Sequence, residues 1–347
     1  MPTDFTSLDQ PFSNQINIKG ESYLYFGGTA YLGIPQNQEF LKLYIDGIKK
    51  YGLNNGTSRS NNIQLGIYND AETVAAVRFK SEDALITSSG YLAAQLTVKT
   101  LSQHGKVVYA PATHPALWLQ NQESDTRSFS DWAKNTLQLI NTSEQKNWVI
   151  ISNSMNNLFP EIYDFSFFLQ VDPEKHVILI VDDSHGIGVN NFGSSAFDLL
   201  PQQKNIDRVV VASMAKGLGV DAGLVLASKE TIQGLKNTNE FNGASPSAAA
   251  GAYAFMHAES IYKMEWEKLQ QNISFLVDKL DSRWKFATHF PAFLIHDPEI
   301  DQKLLKHNIL ISSFPYPTKN SPPINRIVLS SWHQKADLNQ LINSINS

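Results

Sequence analysis

Cysteine is absent from all 347 residues, which excludes disulfides, thiolate metal sites and a cysteine nucleophile together. Long apolar runs are absent too. The longest are pieces such as VILIV at 177–181, far short of the ~20 residues that a membrane-spanning helix needs. Positive charge is in short supply, with 28 Lys and Arg against 33 Asp and Glu and a net charge of -5, so nothing in the electrostatics asks for nucleic acid or an anionic membrane surface. The opening MPTDFTSLDQPFSNQ has neither a basic segment nor an apolar one, so no secretory signal is read there and the cytoplasm is the expected compartment. In that compartment the Asn-x-Ser/Thr triplets at Asn55, Asn141 and Asn272 carry no weight. Internal repeats and low-complexity tracts are also missing, and the Pro-rich stretch at 313–323 reads as a surface loop.

What is present is the composition of an ordinary globular protein, 42% hydrophobic and 18% charged. Residues 1–38 are polar and broken, with a strand-like piece around Tyr23 to Phe26, and lack the material for a core of their own. They read as an N-terminal arm. Apolar residues then recur at helical spacing through Phe40, Leu41, Tyr44, Ile45 and Ile48, and again over 71–79. Short apolar strands follow at 84–86, 107–109, 148–152, 177–181 and 209–212, alternating with amphipathic stretches at 91–102 and from Pro115. That alternation predicts βαβ units and a mainly parallel sheet covered on both faces by helices. We assign it to a large α/β domain over 39–235. The remainder, 236–347, has a long Ala-rich helix over about 245–282, then short strands and a final helix at 335–345, and reads as a smaller α+β domain.

In open parallel sheets ligands sit beyond the carboxyl ends of the strands. The residues that follow each apolar run are therefore the candidate site: Thr87 to Tyr91, Ala112 to His114, Asn153 to Asn157, Asp182 to His185, and Ser213 to Lys216. Lys216 follows a buried strand and precedes Gly217, Gly219 and Gly223. An amine in so dry a place is costly unless paired or neutralised, and a desolvated lysine is a Schiff-base nucleophile. The structural alternative is a side chain that snorkels to solvent. Ser89 and Gly90 end a strand and open a helix, where backbone N–H groups can hold a phosphate. The glycines after Lys216 miss the dinucleotide pattern by one residue, and a P-loop lysine follows its glycines instead of preceding them. Asp182 can pair with a cationic ring nitrogen, cap a following helix, or join Asp183 and His185 on a metal. His114 and His185 are either ligand contacts or satisfied buried imidazoles.

These same segments resemble a known family. VDDSHGIGV at 181–189 is similar to the VDEAHGxGV segment of the α-oxoamine synthases, and SMAKGLGVDAG at 213–223 to their T-x-S-K-x-x-G-x-x-G-G segment. TAYLGI at 29–34, the loop Gly56 to Arg59, SSGYLAA at 88–94, His114, the segment Ala244 to Ala249 and RIVLSSWH at 326–333 extend the resemblance over nearly the whole chain. It implies a pyridoxal 5'-phosphate enzyme of aminotransferase fold type I, a homodimer with a shared site, that condenses an amino acid with an acyl-CoA thioester to an α-oxoamine. An aminotransferase, or a non-catalytic homologue keeping the fold, is the alternative. By resemblance, Lys216 is the Schiff-base lysine, Asp182 the partner of the pyridine nitrogen, His185 a neighbour of the ring hydroxyl and His114 the group stacked on the ring. Ser89, Gly90, Tyr91 and Ser213 hold the phosphate, Asn157 lies beside the cofactor, and Arg326 grips the substrate carboxylate. The segment Asn242 to Ser245 reaches a neighbour's phosphate. No metal is implied. The chain departs from the family pattern at Ala215, Ala222, Tyr68, Ile63 and the turn Asn157 to Glu161, positions that bear on the acyl-donor side more than on the cofactor.

Overall fold

Four β-branched runs set the direction of the larger sheet. In the computed structural model, which describes residues 5–120, 125, 127–156, 158–315 and 321–346, the strands Lys106–Tyr109, Asn147–Asn153, His176–Asp182 and Ile206–Ser213 lie side by side and parallel. Gly223–Ala227 joins them antiparallel, and Asp83–Thr87 pairs antiparallel with Gly223–Ala227 at the outer edge, so Asp83–Thr87 runs the same way as the parallel four. The alternation of the sequence is thus realised, with one reversed strand that hydrophobic patterning cannot distinguish from its neighbours. The consequence for function is geometric. Thr87, Tyr109, Asn153, Asp182 and Ser213 all end their strands on one edge, and Gly223 begins its strand there, opposite both Thr87 and Ser213.

The faces of this sheet are dry. Val149, Ile151, Ile180, Val209, Val211 and Val225 are buried together with Ala93, Ala94, Leu96 and Val98 of the helix Gly90–Leu101. Removing each such aliphatic side chain from water contributes about 1.5–3 kcal/mol. The helix packs over Ile206–Ser213 and Gly223–Ala227, and it starts where it does because Ser89, in the extended region, turns its hydroxyl to accept the Leu92 N–H at 3.2 Å.

The chain divides into two compact units. One comprises Lys42–Asn156 and Ile162–Glu259 and holds the sheet just described. The other is assembled from Met1–Leu41, Asn157–Glu161 and Ser260–Ser347. Its six strands run in the order Gln15–Ile18, Glu21–Phe26, Ile309–Pro315, Pro323–Val328, Ala292–Ile295, Trp284–Phe286. The arm thus finds its core in the last third of the chain. Its two strands form a hairpin around Lys19 and Gly20, both at positive φ as a two-residue hairpin turn demands, and Glu21–Phe26 then pairs parallel with Ile309–Pro315.

Two elements differ from expectation. The long helix is two helices, Ala249–His257 and Glu259–Val277, interrupted at Ala258, where φ and ψ are -97° and 16°. No glycine or proline marks the break. The helix expected from Pro115 is a single tight turn, Pro115–Leu117, and the helix proper is Phe129–Thr142, started by Ser128, whose hydroxyl oxygen accepts the Asp131 N–H. Of the Pro-rich stretch, residues 316–320 lie outside the described residues. Among the described residues no helix is long and apolar enough to cross a membrane.

The edge of the large sheet tolerates no side chain at Gly223. A Cβ there would stand 2.1 Å from the Ser89 carbonyl oxygen and 2.4 Å from Thr87 Oγ1. Gly223→Ala is therefore expected to lower stability by about 1–3 kcal/mol, measured by denaturant unfolding. An unchanged midpoint would mean that the strand ends part easily.

Candidate active site

The strand-end residues converge because three backbone segments approach more closely than side chains permit. Gly90 lies against Ser213, where an added Cβ would be 2.6 Å from the serine Cβ. Gly223 lies against Ser89, and Gly217 against the Ile187 carbonyl, which a Cβ would meet at 2.6 Å. These contacts bring the turn after Asp83–Thr87, the turn after His176–Asp182 and the turn after Ile206–Ser213 to one place.

At the first turn, Thr87 Oγ1 donates to the Ser89 carbonyl at 2.9 Å. Among the described residues, the N–H groups of Gly90 and Tyr91 meet no acceptor, as the first turn of a helix requires. With Ser89 and Ser213 beside them they form an anion cradle at the positive end of the helix.

The second turn carries Asp182, Asp183 and His185. Asp182 does not cap a helix. Its Oδ1 accepts the Ser184 N–H at 2.8 Å and closes a tight turn. The following Asn190–Gly193 has Asn191 and Phe192 at φ 48° and 57°, which no helix adopts. The metal alternative fares no better, since no three His, Asp or Glu side chains among the described residues are placed to share an ion. Ser184 Oγ in turn accepts the Ser213 N–H at 2.8 Å and stitches the second turn to the third.

From the third turn Lys216 reaches back, its Nζ 3.1 Å from His185 Nε2. The amine is held by an imidazole and does not run out along the surface. His114, from the loop after Lys106–Tyr109, lies within electrostatic reach of both Asp182 and Lys216. Burial holds its imidazole below the ordinary range, Lys216 pushes the same way, and Asp182 opposes. Its Nδ1 accepts the Ala116 N–H at 3.1 Å, so the neutral ring carries its hydrogen on Nε2.

Lys216, Asp182, His185, His114, Ser89, Gly90, Tyr91 and Ser213 all belong to the larger unit. Arg326 belongs to the other, in the strand Pro323–Val328, 5% exposed and beside the buried phenol of Tyr31. Asn157 lies outside the described residues.

Sequence reasoning missed two supports. Glu72, 2% exposed, accepts from Arg59 at 2.8 Å, from Lys236 at 2.8 Å and from the Ile86 N–H at 3.0 Å, and so ties the outer strand to three other segments. The Arg59 guanidinium is itself flanked by the rings of Tyr68 and Phe241, at 5.0 and 4.9 Å. No spacing rule announces such a knot. Asp183, weighed in the sequence only as a metal ligand, is fully buried and accepts the Ala196 N–H at 2.8 Å. The donor set fits pyridoxal phosphate: an anion cradle, a half-buried carboxylate for a cationic ring nitrogen, two imidazoles nearby, and an amine against one of them.

Comparison with known proteins agrees. The sequence profile of the family "Aminotransferase class I and II" matches residues 67–345. The 8-amino-7-oxononanoate synthase of Buchnera aphidicola is 25% identical over 351 residues, covering 95% of this chain and 90% of its own. Among solved structures, a serine palmitoyltransferase variant from S. paucimobilis with bound PLP and myriocin superimposes with a TM-score of 0.79 at 17% identity, over 97% of this chain and 90% of that one. An 8-amino-7-oxononanoate synthase from Francisella tularensis gives 0.69 at 18% identity, over 93% and 96%.

Burial pushes the Asp183 carboxyl up to about 7, with the charge of Asp182 adding to the effect. The unfolded value is about 3.9, so the native state binds this proton more tightly, and the stability it contributes is complete below about pH 4 and lost as pH rises to about 7. Asp183→Asn removes the titration. The stability of the variant relative to wild type should rise between those limits by up to about 1.4 kcal/mol per pH unit, then level off. Melting curves across this range check it; a difference independent of pH would count against the shifted carboxyl.

Proposed function

The chain belongs to the aminotransferase class I and II family, the pyridoxal-phosphate enzymes of fold type I, and from that premise we propose that it is an α-oxoamine synthase joining an amino acid to the acyl group of an acyl-CoA thioester. The observation that carries this reading is the Lys216–His185 contact beside Asp182 and His114 at the carboxyl edge of the sheet. The resemblance in 29–34, 181–189, 213–223 and 326–333 supports the synthase over other members of the family.

When bound, pyridoxal phosphate supplies an electron sink that stabilises negative charge at the α-carbon of an amino acid. The protein supplies the rest. The N–H groups of Gly90 and Tyr91, with the hydroxyls of Ser89 and Ser213, hold the phosphate. Asp182, already fixed by the Ser184 N–H, would pair with the ring nitrogen and favour the protonated ring. His114 would meet the ring, with its Nε2–H left as a donor. Lys216 Nζ is the base that takes the α-proton, and His185 orients it at 3.1 Å. Arg326 is the residue for the substrate carboxylate, a role that a planar fork fits better than a point charge. The working molecule in this reading is a homodimer, with Asn242 to Ser245 reaching the neighbour's site.

Purified protein should be yellow, and borohydride should fix the cofactor to Lys216. Lys216→Ala should abolish that labelling and lower turnover by about 10²–10⁴-fold or more. Asp182→Asn should keep the cofactor and lose on the order of 10²-fold in turnover. Release of free CoA from acyl-CoA with glycine, alanine or serine identifies the synthase. Amino-group exchange with a keto acid and no CoA release would identify an aminotransferase, and a colourless protein that gains no band with pyridoxal phosphate would overturn both.

A further inference from the structure

The loop that delivers His114 is held by a side chain from the next strand. Asn153 ends Asn147–Asn153, is 8% exposed, and faces Asp182 across the parallel ladder. Its carboxamide reaches sideways. Oδ1 accepts the His114 backbone N–H at 3.1 Å, and Nδ2 donates to the Ala112 carbonyl at 2.6 Å. One residue separates these two bonds, so the amide grips a three-residue span from one side.

That span needs holding. Ala112 sits at φ 54°, a left-handed conformation that a residue with a Cβ adopts only under external constraint. Thr113, between the two bonds, donates its hydroxyl to the Ala110 carbonyl. Beyond the grip, His114 Nδ1 accepts the Ala116 N–H at 3.1 Å. The peptide of His114 is thus fixed by Asn153 and its ring by Ala116. A donor and an acceptor on one short planar group are peculiar to the carboxamide: aspartate loses the donor, and leucine loses donor and acceptor both.

We propose that Asn153 is a positioning residue for His114. By fixing the backbone of Ala112 to His114 it gives the imidazole a single orientation, with its hydrogen on Nε2, and it contributes to cofactor affinity only through that imidazole. This rests on the reading of His114 as a group that meets the cofactor.

The test uses full-length protein stripped of cofactor and titrated with pyridoxal phosphate: wild type, Asn153→Ala, His114→Ala and the double variant, with Asn153→Ser as a milder change should the alanine variant fold poorly. Asn153→Ala is expected to weaken binding about tenfold and Asn153→Ser by less. In the His114→Ala background the same substitution should change affinity by less than about twofold, a coupling that a general loss of stability does not produce. Equal losses in both backgrounds, or no loss in either, would overturn the proposal. A second measurement needs no cofactor. Nitrogen-15 NMR of the His114 ring should show one neutral Nε2–H tautomer in wild type and an averaged signal in Asn153→Ala; identical ring signals would also overturn it. Failure of the wild type to bind pyridoxal phosphate sinks the proposed function, and the ring signals still decide the role of Asn153.

Discussion

At the carboxyl edge of the large sheet, backbone touches backbone. Gly90 against Ser213, Gly223 against Ser89 and Gly217 against the Ile187 carbonyl leave no volume for a side chain. Because the turns are this close, short polar groups span them: Ser184 Oγ takes the Ser213 N–H, and Lys216 meets His185. Distances of about 3 Å are the reach over which an amine, a carboxylate and an imidazole influence one another strongly in a partly dry setting. Were the turns further apart, the same residues would be separately solvated surface groups.

The second theme is how charge is kept where water is scarce. Three buried ionisable groups show three arrangements. Glu72 is shared by two cations and a backbone N–H, so its charge is matched in every direction. Lys175, 6% exposed, donates to the carbonyls of Ser143 and Gln145 just past the helix Phe129–Thr142, where the helix end is negative. His333 is neutral by burial, its Nδ1 accepting from the Ser330 N–H while Nε2 lies against the Tyr25 carbonyl. The first two are met by opposite charge or by carbonyl dipoles, and the third is held neutral by burial. Partial desolvation lowers His114 as well, and its Nδ1 accepts the Ala116 N–H.

Much of this was legible in the residues. Apolar runs and the polar residues after them located the strand ends, and eight of the candidate residues so collected lie in one compact unit. The separate lodging of Arg326 was not legible, nor was the direction of Gly223–Ala227, because alternation reports burial and not polarity of the chain. The break at Ala258 lacks the glycine or proline that would announce it. Asp182 read equally well as a helix cap, and only the Ser184 N–H on its Oδ1 decides for a turn. Asn153 stood in the candidate set, yet its grip on Ala112 and His114 depends on a loop whose left-handed alanine no propensity predicts.

The parallel pairing of Glu21–Phe26 with Ile309–Pro315 has a bearing on synthesis. When the first of these strands leaves the ribosome, its partner is still uncoded for nearly the whole length of the chain, a wait on the order of tens of seconds at ordinary elongation rates. Meanwhile the exposed edge of the hairpin Gln15–Ile18/Glu21–Phe26 has no neighbour to pair with, and a bare edge invites the wrong one. The larger unit, whose strands are complete by Ala227, can form in that interval. The smaller must close the longest loop in the molecule last, so truncation near the carboxyl terminus endangers the amino-terminal strands first.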